Sequence, residues 1–159
     1  MSDVHEPHWL ELKIPPPVVA AVSAVMSWGL ARAFPGLQFP YGISVPVAVV
    51  LALAGVFLAG WGIAAFVRSR TTLNPHQPRR STALVSSGPY RFTRNPMYVG
   101  NLLVLTGWVA FLASPLALLG PAAFVLYINR FQIAPEEREL ERLFGADYAA
   151  YTARVRRWL

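Results

Sequence analysis

Arg91 and Arg94 stand three residues apart in a corner that also holds Tyr90, Asn95, Pro96 and Tyr98: Gly88-Pro89-Tyr90-Arg91-Phe92-Thr93-Arg94-Asn95-Pro96-Met97-Tyr98-Val99-Gly100. Pro96 disfavours a helical Asn95, and a new helix can open at Pro96 or Met97. The arginines then lie beside the unpaired N–H groups of a helix N-terminus, an arrangement that holds a small anion such as a carboxylate. Further along, Glu136-Glu137 supplies carboxylates for an ammonium or a pair of ribose hydroxyls. Upstream, Gly60-Trp61-Gly62 leaves room where side chains are missing. Cations, carboxylates and open space are together the mixture that a zwitterionic nucleoside cofactor needs. Each part also has a plainer use. Arginines orient a membrane protein, glycines let helices pack, and glutamates complement a helix dipole.

These groups hang on elements written in apolar sequence. Four hydrophobic runs are read as membrane spans, at about residues 17–34, 45–67, 97–113 and 116–131. The first lies between Pro15-Pro16 and Pro35-Gly36, and its Arg32 can snorkel to the interface. The second is rich in glycine (Gly55, Gly60, Gly62), for which close helix packing is the simplest role. The third and fourth are joined by Ser114-Pro115, which forces a tight helical hairpin. Both are short for a full crossing, so tilt or local bilayer thinning is expected. Asn101 belongs on the bundle side of the third.

Residues 68–96 form a loop with Arg68, Arg70, Arg79, Arg80, Arg91 and Arg94 and no acid, which places it in the cytoplasm by the positive-inside rule. Four spans then put both termini on that side. In the tail, 132–159, Pro135 to Gly145 reads as a capped cytosolic helix. A second amphipathic helix is expected over Asp147–Leu159, with Tyr148, Tyr151, Val155 and Trp158 on one face. The fold class is therefore all-α integral membrane: about four transmembrane helices plus C-terminal cytosolic amphipathic helices, in a single domain over residues 1–159.

Composition agrees. Of the 159 residues 55% are hydrophobic and 14% charged, against about 45–50% and about 25% in soluble domains. The net charge is +6, with Lys13 the one basic residue that is not arginine. The arginines flank apolar spans and form no aromatic-interleaved groove, so anionic headgroups explain them better than nucleic acid. With no cysteine, disulfides, zinc–thiolate sites and thiol catalysis are excluded. His5 and His8 lack a completing ligand set, and His76 is a lone loop histidine, so no metal site is read. Acids in the N-terminal arm argue against a cleaved secretory signal.

The string from Gly88 to Gly100 resembles the core motif of integral-membrane S-adenosylmethionine methyltransferases, among them isoprenylcysteine carboxyl methyltransferases and phospholipid N-methyltransferases. Glu136-Glu137-Arg-Glu-Leu-Glu-Arg-Leu-Phe144-Gly145-Ala-Asp-Tyr148-Ala-Ala-Tyr151 is similar to the same family's second motif, and Gly60-Trp61-Gly62 to a cofactor-binding Gly-x-Gly. Asn95 stands where the isoprenylcysteine enzymes carry histidine. The resemblance implies S-adenosylmethionine in a cytoplasm-facing pocket and a lipid or hydrophobic small molecule as substrate, at the inner or plasma membrane. Gly60, Gly62, Arg94, Asn95, Pro96, Tyr98, Glu136 and Glu137 would bind the cofactor. A carboxylate acceptor would be oriented by Arg91 or Arg130; an amine acceptor needs a proton acceptor, for which Tyr90, Tyr98 and Glu137 are the candidates. Competing readings are a non-catalytic lipid-binding scaffold and a membrane reductase on a related helical frame.

Overall fold

Proline opens the first helix and closes the approach to the third. Pro16 takes the first position of α1 (Pro16–Ala33), where its missing N–H costs nothing. Pro96 does the same for α3 (Pro96–Leu112), which stops where Ala113 turns left-handed at φ 50°. Between them runs α2 (Tyr41–Arg68). After a 3-10 turn at Pro115–Leu118 the chain continues as α4 (Leu119–Ile128), a π-helical turn (Asn129–Ile133) and α5 (Ala134–Thr152). This computed structural model describes residues 8–35, 41–69 and 84–159. The expectations for His5, for His76 and for the arginines between Ser69 and Leu84 lie outside those residues. Among the described residues the secondary structure is helical throughout.

Small residues set the packing. A Cβ on Gly55 would stand 2.5 Å from the Gly100 carbonyl, and one on Gly107 2.8 Å from that of Ala48, so α2 and α3 run antiparallel in backbone contact. The packing role expected of Gly55 is the observed one. Gly120 brings α4 onto α1 in the same way, over Ser23 and Ser27. Phe124, Ile128 and Ile133 are fully buried and meet Tyr98, Leu105 and Val19 in the main core.

Two prolines inside the last rod free carbonyls that other elements take up. Pro121 has no N–H for Ala117, whose carbonyl accepts from the Ser27 hydroxyl at 2.8 Å. Pro135 has none for Phe131, whose carbonyl accepts from the Leu12 N–H at 2.9 Å. Here the ladder widens into the π turn, and the helix passes through. The structure thus corrects the expectation of a span ending at Phe131 and a separate helix starting at Pro135: one rod carries both. Gly145, at φ 45°, is non-helical and divides the end of the rod into two helices across a kink, as expected of the glycine that closes the first. The second amphipathic helix ends at Thr152, not at Leu159. Its last residues leave the helix because their carbonyls bond to the arginine corner, described below.

Among the described residues two helices are long and apolar enough to cross a membrane, Ser44–Arg68 and the rod Pro115–Thr152. Only 17% of the apolar window in the first is buried. Leu53, Val56 and Phe57 are 64–70% exposed, which suits lipid and not a soluble core. α3, at 17 residues, is a shorter apolar helix.

Candidate active site

The corner begins at Gly88, whose φ of 61° favours glycine and which packs beside the Trp61 indole. A 3-10 turn, Gly88–Arg91, carries Tyr90 inward against Phe66, with ring centroids 5.2 Å apart. The Tyr90 carbonyl accepts from the Tyr151 hydroxyl at 2.8 Å, which ties the turn to α5. Thr93 is buried, and its hydroxyl accepts from the Asn95 N–H at 3.1 Å, shaping the step into α3.

The C-terminal strap, residues 153–159, lies across this corner. The Arg156 carbonyl accepts from the Arg94 N–H at 2.9 Å. That of Arg157 accepts from Asn95 Nδ2 at 2.9 Å and from the Thr93 hydroxyl at 3.3 Å. Trp158 Nε1 donates to Asn129 at 3.0 Å, pinning the end of the strap to the π turn. Asn95 therefore spends its amide on the strap.

Arg94 and Glu137 meet in an ion pair at 3.2 Å, with side chains only 16% and 19% exposed. Arg157 joins from the other side, its Nε 3.1 Å from the same carboxylate. Glu137 thus sits between two guanidinium groups. Glu136, its neighbour, accepts from the Tyr98 hydroxyl at 2.7 Å and is ion-paired to no cation among the described residues. Burial pushes the Glu136 carboxyl up to about 8; the Tyr98 hydrogen bond pulls it down and the nearby Glu137 charge adds to the rise. Burial also raises the Tyr90 and Tyr148 phenols well above their usual range and Tyr151 to about 12, so all three stay protonated at neutral pH. Two buried polar atoms at the corner have no partner among the described residues, Arg94 Nε and the Tyr90 hydroxyl.

The structure gathers some of the residues proposed from sequence and disperses others. Arg94, Asn95, Tyr98, Glu136, Glu137 and Tyr90 share one end of the bundle. Pro96 is buried there, and Gly62 faces it: a Cβ on Gly62 would touch Met97 at 3.1 Å and Pro96 at 3.3 Å. Gly60 is exposed, with nothing within 4 Å of its absent side chain, so it looks away from the corner. Arg91 is exposed. Arg130 pairs with Glu11 at 3.3 Å, in a cluster completed by Arg138 and separate from the Arg94 network. Arg157 is the residue that sequence reading passes over as one more tail arginine. Its only signal is its place within the last three residues after Tyr148 and Tyr151, which gives no hint of a return to Arg94.

Comparison with known proteins decides the kinship. The phospholipid methyltransferase family model matches residues 43–147, which include Gly62, the arginine corner and both glutamates. The chain belongs to the phospholipid methyltransferase family. It is 30% identical to protein-S-isoprenylcysteine O-methyltransferase A of Arabidopsis thaliana over 77% of its own length and 61% of that protein's. It is also 30% identical to a probable protein-S-isoprenylcysteine O-methyltransferase of rice, over 86% of its length and 72% of the rice protein's. An uncharacterized protein of Haemophilus influenzae matches along its whole length at 51% identity, over 63 residues or 40% of this chain. No solved structure matches. This family member is a membrane methyltransferase, and the resemblance seen in its two motifs is borne out.

Proposed function

We propose that this methyltransferase moves a methyl group from S-adenosylmethionine to a lipid or lipid-like acceptor at the cytoplasmic leaflet, within a domain whose four apolar segments all lie in the bilayer. The observation that carries the reading is the meeting of Arg94 with Glu137 at 3.2 Å. It unites two motifs separated by a complete helical hairpin. A scaffold needing only charged ends has no use for that convergence.

The residues fit the cofactor. Its carboxylate calls for a donor, and Arg94 Nε is buried and has no partner among the described residues. Its ammonium or ribose hydroxyls call for acceptors, and Glu137 and Glu136 stand at the same corner. Gly62 and Pro96 form an apolar wall beside them. When bound, S-adenosylmethionine supplies a methyl already activated on a sulfonium sulfur, so the protein's work is alignment and exclusion of water. Asn95 and Thr93 hold the strap, and the strap's Arg157 holds Glu137 in place for Arg94.

Calorimetric titration of the purified protein in detergent with S-adenosylhomocysteine tests the reading. Binding with a rise in melting temperature is expected. No heat and no shift, or a response to NADPH in its place, would overturn it.

A further inference from the structure

Residues 8–14, which neither sequence motif includes, lie back over the π turn, Asn129–Ile133. The Leu12 N–H donates to the Phe131 carbonyl at 2.9 Å, from a left-handed backbone, φ 56°, that a leucine adopts only at a cost. Gln132, fully buried, donates from Nε2 to the Ile14 carbonyl at 2.7 Å. The His8 ring meets that of Phe131, centroids 5.2 Å apart. The Glu11 carboxylate, on a side chain only 6% exposed, pairs with Arg130 inside the turn at 3.3 Å and with Arg138 beyond it. One buried anion thus bridges the two sides of the same turn. Among the described residues no ion pair joins this cluster to the Arg94 network.

Helix geometry says what the bridge selects. Around an uninterrupted α-helix, at about 100° per residue, Arg130 and Arg138 would stand about 80° apart. A π turn takes up one residue more than an α turn, which sets the chain beyond it back by about 100° and brings the two arginines within about 20° of one line. A single carboxylate then reaches both, as Glu11 does. The same rotation aims the next turn of the rod. In an α register Glu136 would stand where Glu137 now meets Arg94, and Pro135 would face the Tyr98 hydroxyl in place of a carboxylate. We propose that Glu11, through Arg130 and Arg138, clamps the rod in its π register and is a positioning residue for the cofactor corner. This rests on the S-adenosylmethionine reading above. Glu11 touches no reacting atom; it acts by deciding which glutamate meets which partner.

The test uses the full chain in detergent and two readouts. Calorimetry with S-adenosylhomocysteine, well below the melting temperature, gives the affinity of folded molecules. Spin labels give the register: the chain has no cysteine of its own, so Leu126→Cys and Glu141→Cys, at exposed positions before and after the turn, carry one label each. A change of register rotates one label about the rod relative to the other and alters their separation. Glu11→Gln removes the anion, and Arg130→Gln breaks the bridge from its exposed side while Glu11 keeps Arg138. Each is expected to weaken homologue binding at least about fivefold, as coupling between separate sites does, and to add a second label separation. The charge exchange Glu11→Arg with Arg138→Glu should restore both readouts. Unchanged affinity, a single unchanged separation, a lower melting temperature with affinity intact, or no recovery on charge exchange would each overturn the clamp. Wild-type protein that does not bind the homologue removes the cofactor pocket itself, whereas wild-type binding that both variants leave intact removes the clamp alone.

Discussion

Removing the Glu137 carboxylate should loosen the corner and weaken the cofactor together. In Glu137→Ala the guanidinium groups of Arg94 and Arg157 lose the anion between them, and Arg94, 16% exposed, cannot turn freely to water. Breaking a fully buried pair costs about 3–5 kcal/mol and an exposed one about 0.2–1. With Arg157 41% exposed, this network falls between those limits, at about 2 kcal/mol. For a chain of this size that is about 4–8 °C in melting temperature. The assay is thermal unfolding in detergent with and without S-adenosylhomocysteine, with calorimetry for affinity. Binding should weaken at least about tenfold, or about 1.4 kcal/mol. Arg142→Ala is the control, since its pair with Glu139 is 59% exposed on the arginine side and should move stability less than about 0.5 kcal/mol. If Glu137→Ala melts and binds like wild type, the joining of the two motifs has no energetic content and the reasoning fails.

Gly100→Ala places a methyl 2.6 Å from the Gly55 carbonyl and should cost about 1–3 kcal/mol or prevent folding, whereas Gly60→Ala meets open space and should be neutral or slightly stabilising. Retained homologue binding in Gly60→Ala, by calorimetry, would show that Gly60 does not line the pocket. Deleting residues 156–159 removes the carbonyls that accept from Arg94, Thr93 and Asn95, and should abolish homologue binding while helix content by circular dichroism is nearly kept. Stability should also depend on pH through Glu136. Below about pH 4.5 its carboxyl is protonated in folded and unfolded chains alike; between there and about 8 only the unfolded chain releases the proton, so stability falls as pH rises and then levels. Melting curves across that window should slope downward in wild type and less so in Glu136→Gln.

Much of the frame is legible in the chain because apolar run length and proline placement act locally. α1 and α3 begin at or beside the residues that proline punctuation marks. The unbroken passage of the helix from Leu119 through Pro135 was hidden for the opposite reason. Pro135 reads as a helix start, and only the Leu12 N–H, more than a hundred residues away, takes up the carbonyl that proline frees. The strap was hidden likewise: Val155 and Trp158 fit an amphipathic stripe until the Arg156 and Arg157 carbonyls find donors on another element.

At the site, sequence by itself determined the chemical inventory: which residues carry positive charge, which carry carboxyls, and that long apolar runs flank them, since these follow from residue type and hydropathy alone. Tertiary structure decided allegiance. Glu137 took two arginines, Glu136 took a tyrosine hydroxyl, Arg130 turned to Glu11, and Gly60 faced outward. Charge and burial act over a few ångströms in space, and adjacent residues on a helix point in different directions, so partners are chosen by packing and not by position along the chain.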